Sequence, residues 1–186
     1  MKKTNLTEQA ESLVRLLKKK RARLVLAESC TGGLLASLLT EVPGVSDYFC
    51  GSFVTYRENS KNQWIGVKAS TLKKYSAVSS QTAEEMVRGA LKHTPEATIG
   101  ASVTGYLGPK GELLGQVFVS VLLKRSKSIP VTTQLSIDFD SKIAKTKSRA
   151  KTKRSRVRLS PKEMRLARRD AAASSVLFLV RSLLNS

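Results

Sequence analysis

The sequence predicts an α/β fold, a three-layer sandwich with a central mixed sheet and helices on both faces. Short apolar or β-branched runs alternate along the chain with longer stretches of helical periodicity, the pattern of a sheet covered by helices. A length of 186 residues suits one domain with a sizeable core and excludes two large ones. Hydrophobic residues at 41%, charged residues at 25%, 11 Gly and 5 Pro exclude a disordered or fibrous chain.

Leu6, Ala10, Leu13, Val14 and Leu17 recur at helical spacing, so the first helix runs to about Lys20, with Asn5 and Glu8 placed as in a capping box. Leu24-Val25-Leu26-Ala27 is a short buried-strand run that leads into Glu28-Ser29-Cys30-Thr31-Gly32-Gly33, and a helix from Leu34 to Thr40 follows. Val42-Pro43-Gly44 breaks the chain before a strand over Phe49 to Tyr56 and a helix over Arg57 to Ile65. Ser79 or Ser80 caps a helix reaching Leu91. Thr98 to Thr104 and Gln116 to Leu123 read as strands joined through a Gly108 to Gly111 turn, and Val131 to Ile137 as one more. Residues 138–159 lack apolar periodicity and read as a basic, mobile insertion within a single domain spanning 1–186. Ser160-Pro161-Lys162-Glu163 supplies a cap, a proline at N1 and a glutamate at N3. The closing helix then carries the stripe Leu166, Ala173, Val176, Leu177, Val180 and Leu184.

Charge is unevenly spread. The formal net charge is +19, and Ser141 to Arg169 holds 13 basic residues against one acid, or +12 of that total. The polyanion-like signal therefore belongs to one block, which lacks interleaved aromatics for base stacking; a non-specific nucleic-acid contact is a secondary expectation. Cys30 and Cys50 form no CxxC pair and His93 is the one histidine, so neither a metal nor a structural zinc site is expected. The charged start lacks the apolar stretch of a signal peptide, and no apolar run approaches the ~20 residues of a membrane span. The expectation is a cytoplasmic, reduced protein with no membrane contact.

The passage from Ala27 to Gly33 is the most informative. Two glycines allow a tight turn while a helix N-terminus presents unpaired N–H groups, a setting that suits an oxyanion. Ser29 stands where a nucleophile would face those donors; the plainer reading is that Ser29, Thr31 and the glycines only cap a helix. No histidine is placed as its base, since His93 ends a predicted helix. Lys61 is the substitute, five residues after Tyr56, and both can converge at the sheet's mouth; buried there, the amine would be neutral and basic. A solvated surface lysine is the plainer alternative. Cys30, beside Ser29, is a rival nucleophile on chemistry alone.

Several separated motifs, Ala27 to Gly33, Gly51 to Tyr56 with Asn59 and Lys61, Ile65-Gly66-Val67, Ala77-Val78-Ser79, Val103-Thr104-Gly105 and Gly108-Pro109, together resemble the CinA C-terminal domain family. Within it the chain looks like a PncC-like nicotinamide-nucleotide amidohydrolase, over roughly Leu6 to Leu123. The resemblance implies hydrolysis of the carboxamide of nicotinamide mononucleotide to nicotinic acid mononucleotide and ammonia by a Ser-Lys mechanism, without metal or organic cofactor. It makes Ser29 the nucleophile, Lys61 the base, Tyr56 a proton relay and Thr104 a member of the same cluster. Backbone groups of Cys30, Thr31, Gly32 and Gly33 become the oxyanion hole, and Gly105 and Gly108 lie in the substrate loop. A homo-oligomer is implied too.

Two departures stand out. The loop from Gly105 to Gln116 is several residues shorter than the family's, and the Phe-x-Gly-Asp-Arg type segment before the last helix has no clear counterpart. Arg165, Arg168 and Arg169 are the nearest stand-ins for its arginine. The alternative expectation is a catalytically silent or altered-specificity relative, with polyanion contact through the basic block.

Overall fold

The computed structural model describes residues 5–108, 113–124, 129–137 and 159–186. The far side of the Gly108 to Gly111 turn and the basic segment 138–158 lie outside the described residues. The strands are β1 (Leu24–Glu28), β2 (Phe49–Val54), β3 (Ile99–Gly105), β4 (Gln116–Leu123) and β5 (Val131–Ser136). The helices are α1 (Leu6–Lys20), α2 (Leu34–Thr40), α3 (Glu58–Ile65), α4 (Ala69–Tyr75), α5 (Ser80–His93) and α6 (Pro161–Asn185). The sheet order is β2-β1-β3-β4-β5. β1 runs parallel to both β2 and β3, and β4 runs antiparallel to β3 and β5, so the sheet is mixed.

Side-chain alternation divides the sheet's two faces. Leu24, Leu26, Ile99, Ala101 and Val103 join α1, α2 and α6 in one apolar layer. Val25 and Ala27 turn the other way and pack with Ile65, Leu72, Met86, Val87 and Ala90 under α3, α4 and α5. β1 is buried along its whole length, as its continuous apolar run requires. On β3, Ser102 donates to the Ala83 carbonyl at 2.6 Å, which places that face against α5.

Local chemistry explains most boundaries. Asn5 caps α1 by accepting from the Thr7 amide, at N2 rather than the N3 position of a capping box. Ser79 caps α5 by accepting from Thr82, and the Ser160–Glu163 box opens α6 with Pro161 at N1. Two features correct the sequence expectation. α4 was not expected; its first turn is capped from another helix, where Glu85 on α5 accepts from the Lys68 amide and the Thr71 hydroxyl, both at 2.8 Å. Leu166, assigned to the apolar stripe of α6, is 38% exposed, while Arg168 goes inside in its place at 4%.

Candidate active site

The carboxyl ends of β1, β2 and β3 meet at the turn that follows β1. Gly32 and Gly33, at φ of 62° and 93°, take the left-handed conformations that reverse the chain into α2. Glu28, the last residue of β1, is fully buried and organises this turn. Its carboxylate accepts from the Gly33, Leu35 and Ala36 amides at 3.0–3.1 Å, from the Thr31 hydroxyl at 2.8 Å and from the Ser52 hydroxyl of β2 at 3.0 Å. A carboxylate at a helix N-terminus with five donors is well compensated for its loss of water. Glu28 thus ties β1, β2 and α2 into one rigid corner, a role that sequence reasoning missed.

Ser29 follows Glu28 and is nearly buried; its amide donates to the Val103 carbonyl of β3 at 3.0 Å. Its hydroxyl accepts from Lys61 Nζ at 2.8 Å, and the same ammonium donates to the Thr55 carbonyl at 2.7 Å. Lys61 is 1% exposed because it shares the inward face of α3 with Ile65, one turn on. The Ser60 hydroxyl bridges the Arg57 backbone at the start of α3, and Gly66, at φ 70°, closes its end by donating to the Asn62 carbonyl. Burial lowers the Lys61 pKa from 10.5 to about 8, against smaller upward effects of Cys30 and Glu58. The plainer reading of a solvated lysine is overturned.

Burial pushes the neighbouring Cys30 thiol up to about 12, Glu28 pushes in the same sense, and its own amide, Lys61 and Arg165 act the other way. A thiol so placed stays protonated at neutral pH, which removes the ground for a cysteine nucleophile.

The other predicted residues divide. Of the four amides assigned to an oxyanion hole, Gly33 already donates to Glu28 and Gly32 to the Ser29 carbonyl at 3.1 Å. The amides of Cys30 and Thr31 have no acceptor on another residue among the described residues. Tyr56 is 59% exposed and accepts from Arg165 at 2.9 Å, with no hydrogen bond to Ser29 or Lys61. It leaves the strand on the side opposite Thr55, whose carbonyl does reach the lysine. Thr104 is buried but donates to the Ala77 carbonyl at 2.7 Å, on the segment leading into α5, so it too stands outside the Ser–Lys hydrogen bonds. Gly105 is required by packing, since a Cβ there would lie 2.7 Å from Val117 Cγ2. Gly108 is held to α6 by Arg168, which donates to its carbonyl at 3.3 Å. His93 contributes to the last turn of α5 instead, with Nδ1 2.9 Å from the Gly89 carbonyl.

A groove of about 800 Å³ lies outside α3 and α4, lined by Tyr56, Arg57, Glu58, Asn59, Asn62, Ala69, Leu72 and Lys73; neither Ser29 nor Lys61 lines it. Cys30 and Cys50 are free thiols. Among the described residues no three His, Cys, Asp or Glu side chains are grouped to hold a metal, and no helix is long and apolar enough to cross a membrane.

Comparison with known proteins bears on this site. A family model described as CinA C-terminal domain matches residues 6–159. A CinA-like protein of Thermotoga neapolitana is 43% identical over 123 residues, 64% of this chain and 30% of that protein. A CinA-like protein of Desulforapulum autotrophicum is 53% identical over 97 residues, 52% of this chain and 23% of that protein. The chain thus spans less than a third of the length of these curated relatives. A crystal structure of a competence-damaged protein (CinA) superfamily protein from Klebsiella pneumoniae superposes with a TM-score of 0.79 at 25% identity, covering 98% of this chain and 99% of that one. The competence/damage inducible protein CihA of Agrobacterium tumefaciens gives 0.76 at 28%, covering 97% and 96%. The chain belongs to the CinA C-terminal domain family.

Proposed function

We propose that this chain is an amidohydrolase that converts nicotinamide mononucleotide to nicotinic acid mononucleotide and ammonia, with Ser29 as nucleophile and Lys61 as general base. The observation that carries the reading is the 2.8 Å contact between a buried amine and a nearly buried hydroxyl. An amine with a pKa of about 8 is neutral in about one molecule in ten at pH 7, enough to supply a base without a histidine. The substrate is the one implied by the resemblance of the motifs around Ser29, Tyr56 and Thr104.

In the neutral form, one Lys61 N–H stays on the Thr55 carbonyl and the lone pair turns to the Ser29 hydroxyl. Lys61 takes the hydroxyl proton as Ser29 Oγ bonds to the carboxamide carbon. The carbonyl oxygen becomes an oxyanion, for which the Cys30 and Thr31 amides are the available donors. Lys61 then protonates the departing nitrogen, the C–N bond breaks and ammonia leaves an ester on Ser29. Water, deprotonated by the same amine, attacks the ester; Lys61 returns that proton to the departing Ser29 Oγ, and the acid so formed ionises to the carboxylate, leaving free serine and neutral amine.

The test is ammonia release from nicotinamide mononucleotide by the purified chain, with Ser29→Ala as control. Release matched by nicotinic acid mononucleotide and absent in Ser29→Ala is expected. No release by the wild type would sink the proposal.

A further inference from the structure

Positive charge gathers at the end of the sheet opposite the Ser29 turn, where β1 and β3 begin and the chain arrives from the last turn of α1. Five of the six residues from Lys18 to Arg23 are basic, and all five are exposed. Cations in the last turn of a helix offset its dipole, which gives Lys18, Lys19 and Lys20 a structural reason. That reason does not extend to the arginines beyond the helix. Arg21 caps α1 in the left-handed conformation, at φ 51°, a position that ordinarily selects glycine. The Arg23 carbonyl accepts from the Thr98 and Ile99 amides at 2.9 and 3.1 Å. The Thr98 carbonyl in turn accepts from the Lys124 amide at 2.8 Å, which sets Lys124 beside Arg23 at the end of β4. Ion pairs among the described residues are Arg15–Glu11 and Arg169–Asp170, so no carboxylate neutralises any of these six cations.

Beside this ridge lies a groove of about 680 Å³ whose walls include Arg21, Arg23, Asp47, Tyr48, Phe49 and Glu96. Asp47 and Glu96 are exposed there and repel an anion from the groove itself, whereas the run from Lys18 to Arg23 contains no acid. The two surfaces therefore suit different parts of one ligand. A repeating anion fits the ridge, and a planar group with N–H donors fits the groove, stacked on Tyr48 with a carboxylate accepting from it. A nucleic-acid strand whose bases are unpaired offers both. A duplex keeps its bases stacked inside. A membrane surface calls for apolar side chains directed outward, but Tyr48 and Phe49 are half-buried and pack back against the core.

We infer that the ridge from Lys18 to Arg23 and the groove beside it form a binding surface for single-stranded nucleic acid, with phosphates along the ridge and a base on Tyr48. The arginine forks and lysine ammonium groups supply the phosphate contacts. The surface stands at the far end of β1 from the Ser29–Lys61 pair, so it is independent of the amidase proposal. It is also separate in sequence from the basic run 138–158.

The test follows binding of a labelled single-stranded oligonucleotide of about 12 nucleotides to the full chain by fluorescence anisotropy as NaCl is raised. The triple variant Lys18→Gln, Lys19→Gln, Lys20→Gln is expected to bind about 10- to 100-fold more weakly at ~0.1 M salt. Its slope of log K against log [NaCl] should be shallower by about 2, the loss of three phosphate contacts. The same charge removed around α4, by Lys68→Gln, Lys73→Gln and Lys74→Gln, is expected to shift the affinity by less than about 3-fold. Tyr48→Leu should cost about 10-fold and leave the slope unchanged. Equal losses in the two triple variants overturn the inference, because net charge alone would then govern binding. Undiminished affinity in the α1 variant also overturns it and assigns the strand to the basic run 138–158. Tighter binding to a duplex of the same sequence overturns it too. So does binding to phosphatidylserine vesicles, lost in the α1 variant, by a chain that does not bind the oligonucleotide. Because Tyr48 packs on the core, the exposed lysines carry the test if Tyr48→Leu fails to fold.

Discussion

An amine and a hydroxyl 2.8 Å apart, both shielded from water, set distinct expectations for residues 29 and 61. Ser29→Ala should lower amide turnover by about 10³-fold or more, while Cys30→Ala, which removes a protonated thiol, should stay within about 10-fold of wild type. Lys61→Met should lose about 10²- to 10⁴-fold, and the wild-type kcat/KM should climb with pH to a plateau above about 8 as the amine deprotonates. The same shift links folding to pH. The native amine titrates near 8 and the unfolded one near 10.5, so between these values the unfolded chain binds more protons and stability rises with pH. Below about 8 both states are protonated and the penalty is constant. Urea melts from pH 7.5 to 10.5 should show that slope in wild type and not in Lys61→Met. Ser29 and Lys61 were candidates from local signals, a glycine-rich turn and a lysine following a strand, and the family resemblance chose them over the plainer readings of a helix cap and a solvated lysine. Glu28 was not, since a glutamate ending an apolar run reads as the run's polar boundary and its partners extend as far as Ser52. Tyr56 and Thr104 were misplaced because sequence order cannot say that Thr55, not Tyr56, turns inward, or that Ala77 already takes the Thr104 hydroxyl.

At the level of elements, the active corner depends on two contacts between secondary structures. Glu28→Ala would leave the first amides of α2 and the Ser52 hydroxyl of β2 without their acceptor, a loss of about 3 kcal/mol or more by chemical denaturation. Glu28→Gln keeps the shape but presents an NH₂ to N–H donors, so it should recover only part of that stability. The second contact is Gly89 on α5, where a Cβ would lie 1.8 Å from the Ile65 carbonyl at the end of α3. Gly89→Ala must push α3 outward, and with it Lys61; a stability loss of roughly 1–3 kcal/mol with a drop in kcat is expected. An undiminished kcat would mean that the lysine does not depend on this contact. Elements with their caps inside their own sequence, such as α5 and α6, were readable; α4 escaped because its cap is supplied by Glu85, 17 residues from Lys68.

Over the whole molecule, the net charge of +19 opposes compaction. Raising NaCl from ~0.05 to ~0.5 M should therefore raise the Tm in scanning calorimetry, as screening weakens that repulsion; a fall would show that surface ion pairs outweigh it. The alternation of strands and helices made the layered fold legible, whereas the interior place of Arg168 was hidden, because helical spacing alone favoured Leu166 for the core. The Ser29 amide bonds to β3, the Thr55 amide bonds to the Glu28 carbonyl, and β1 lies between the strands involved. The Ser29 amide can meet solvent only when β1 and β3 part at the centre of the sheet, whereas the Thr55 amide is freed once the edge strand β2 leaves β1. Deuterium uptake at Ser29 should accordingly coincide with global opening and uptake at Thr55 should come no later, and a partly unfolded chain that has shed β3 would retain both side chains of the Ser29–Lys61 pair without the strand that aligns them.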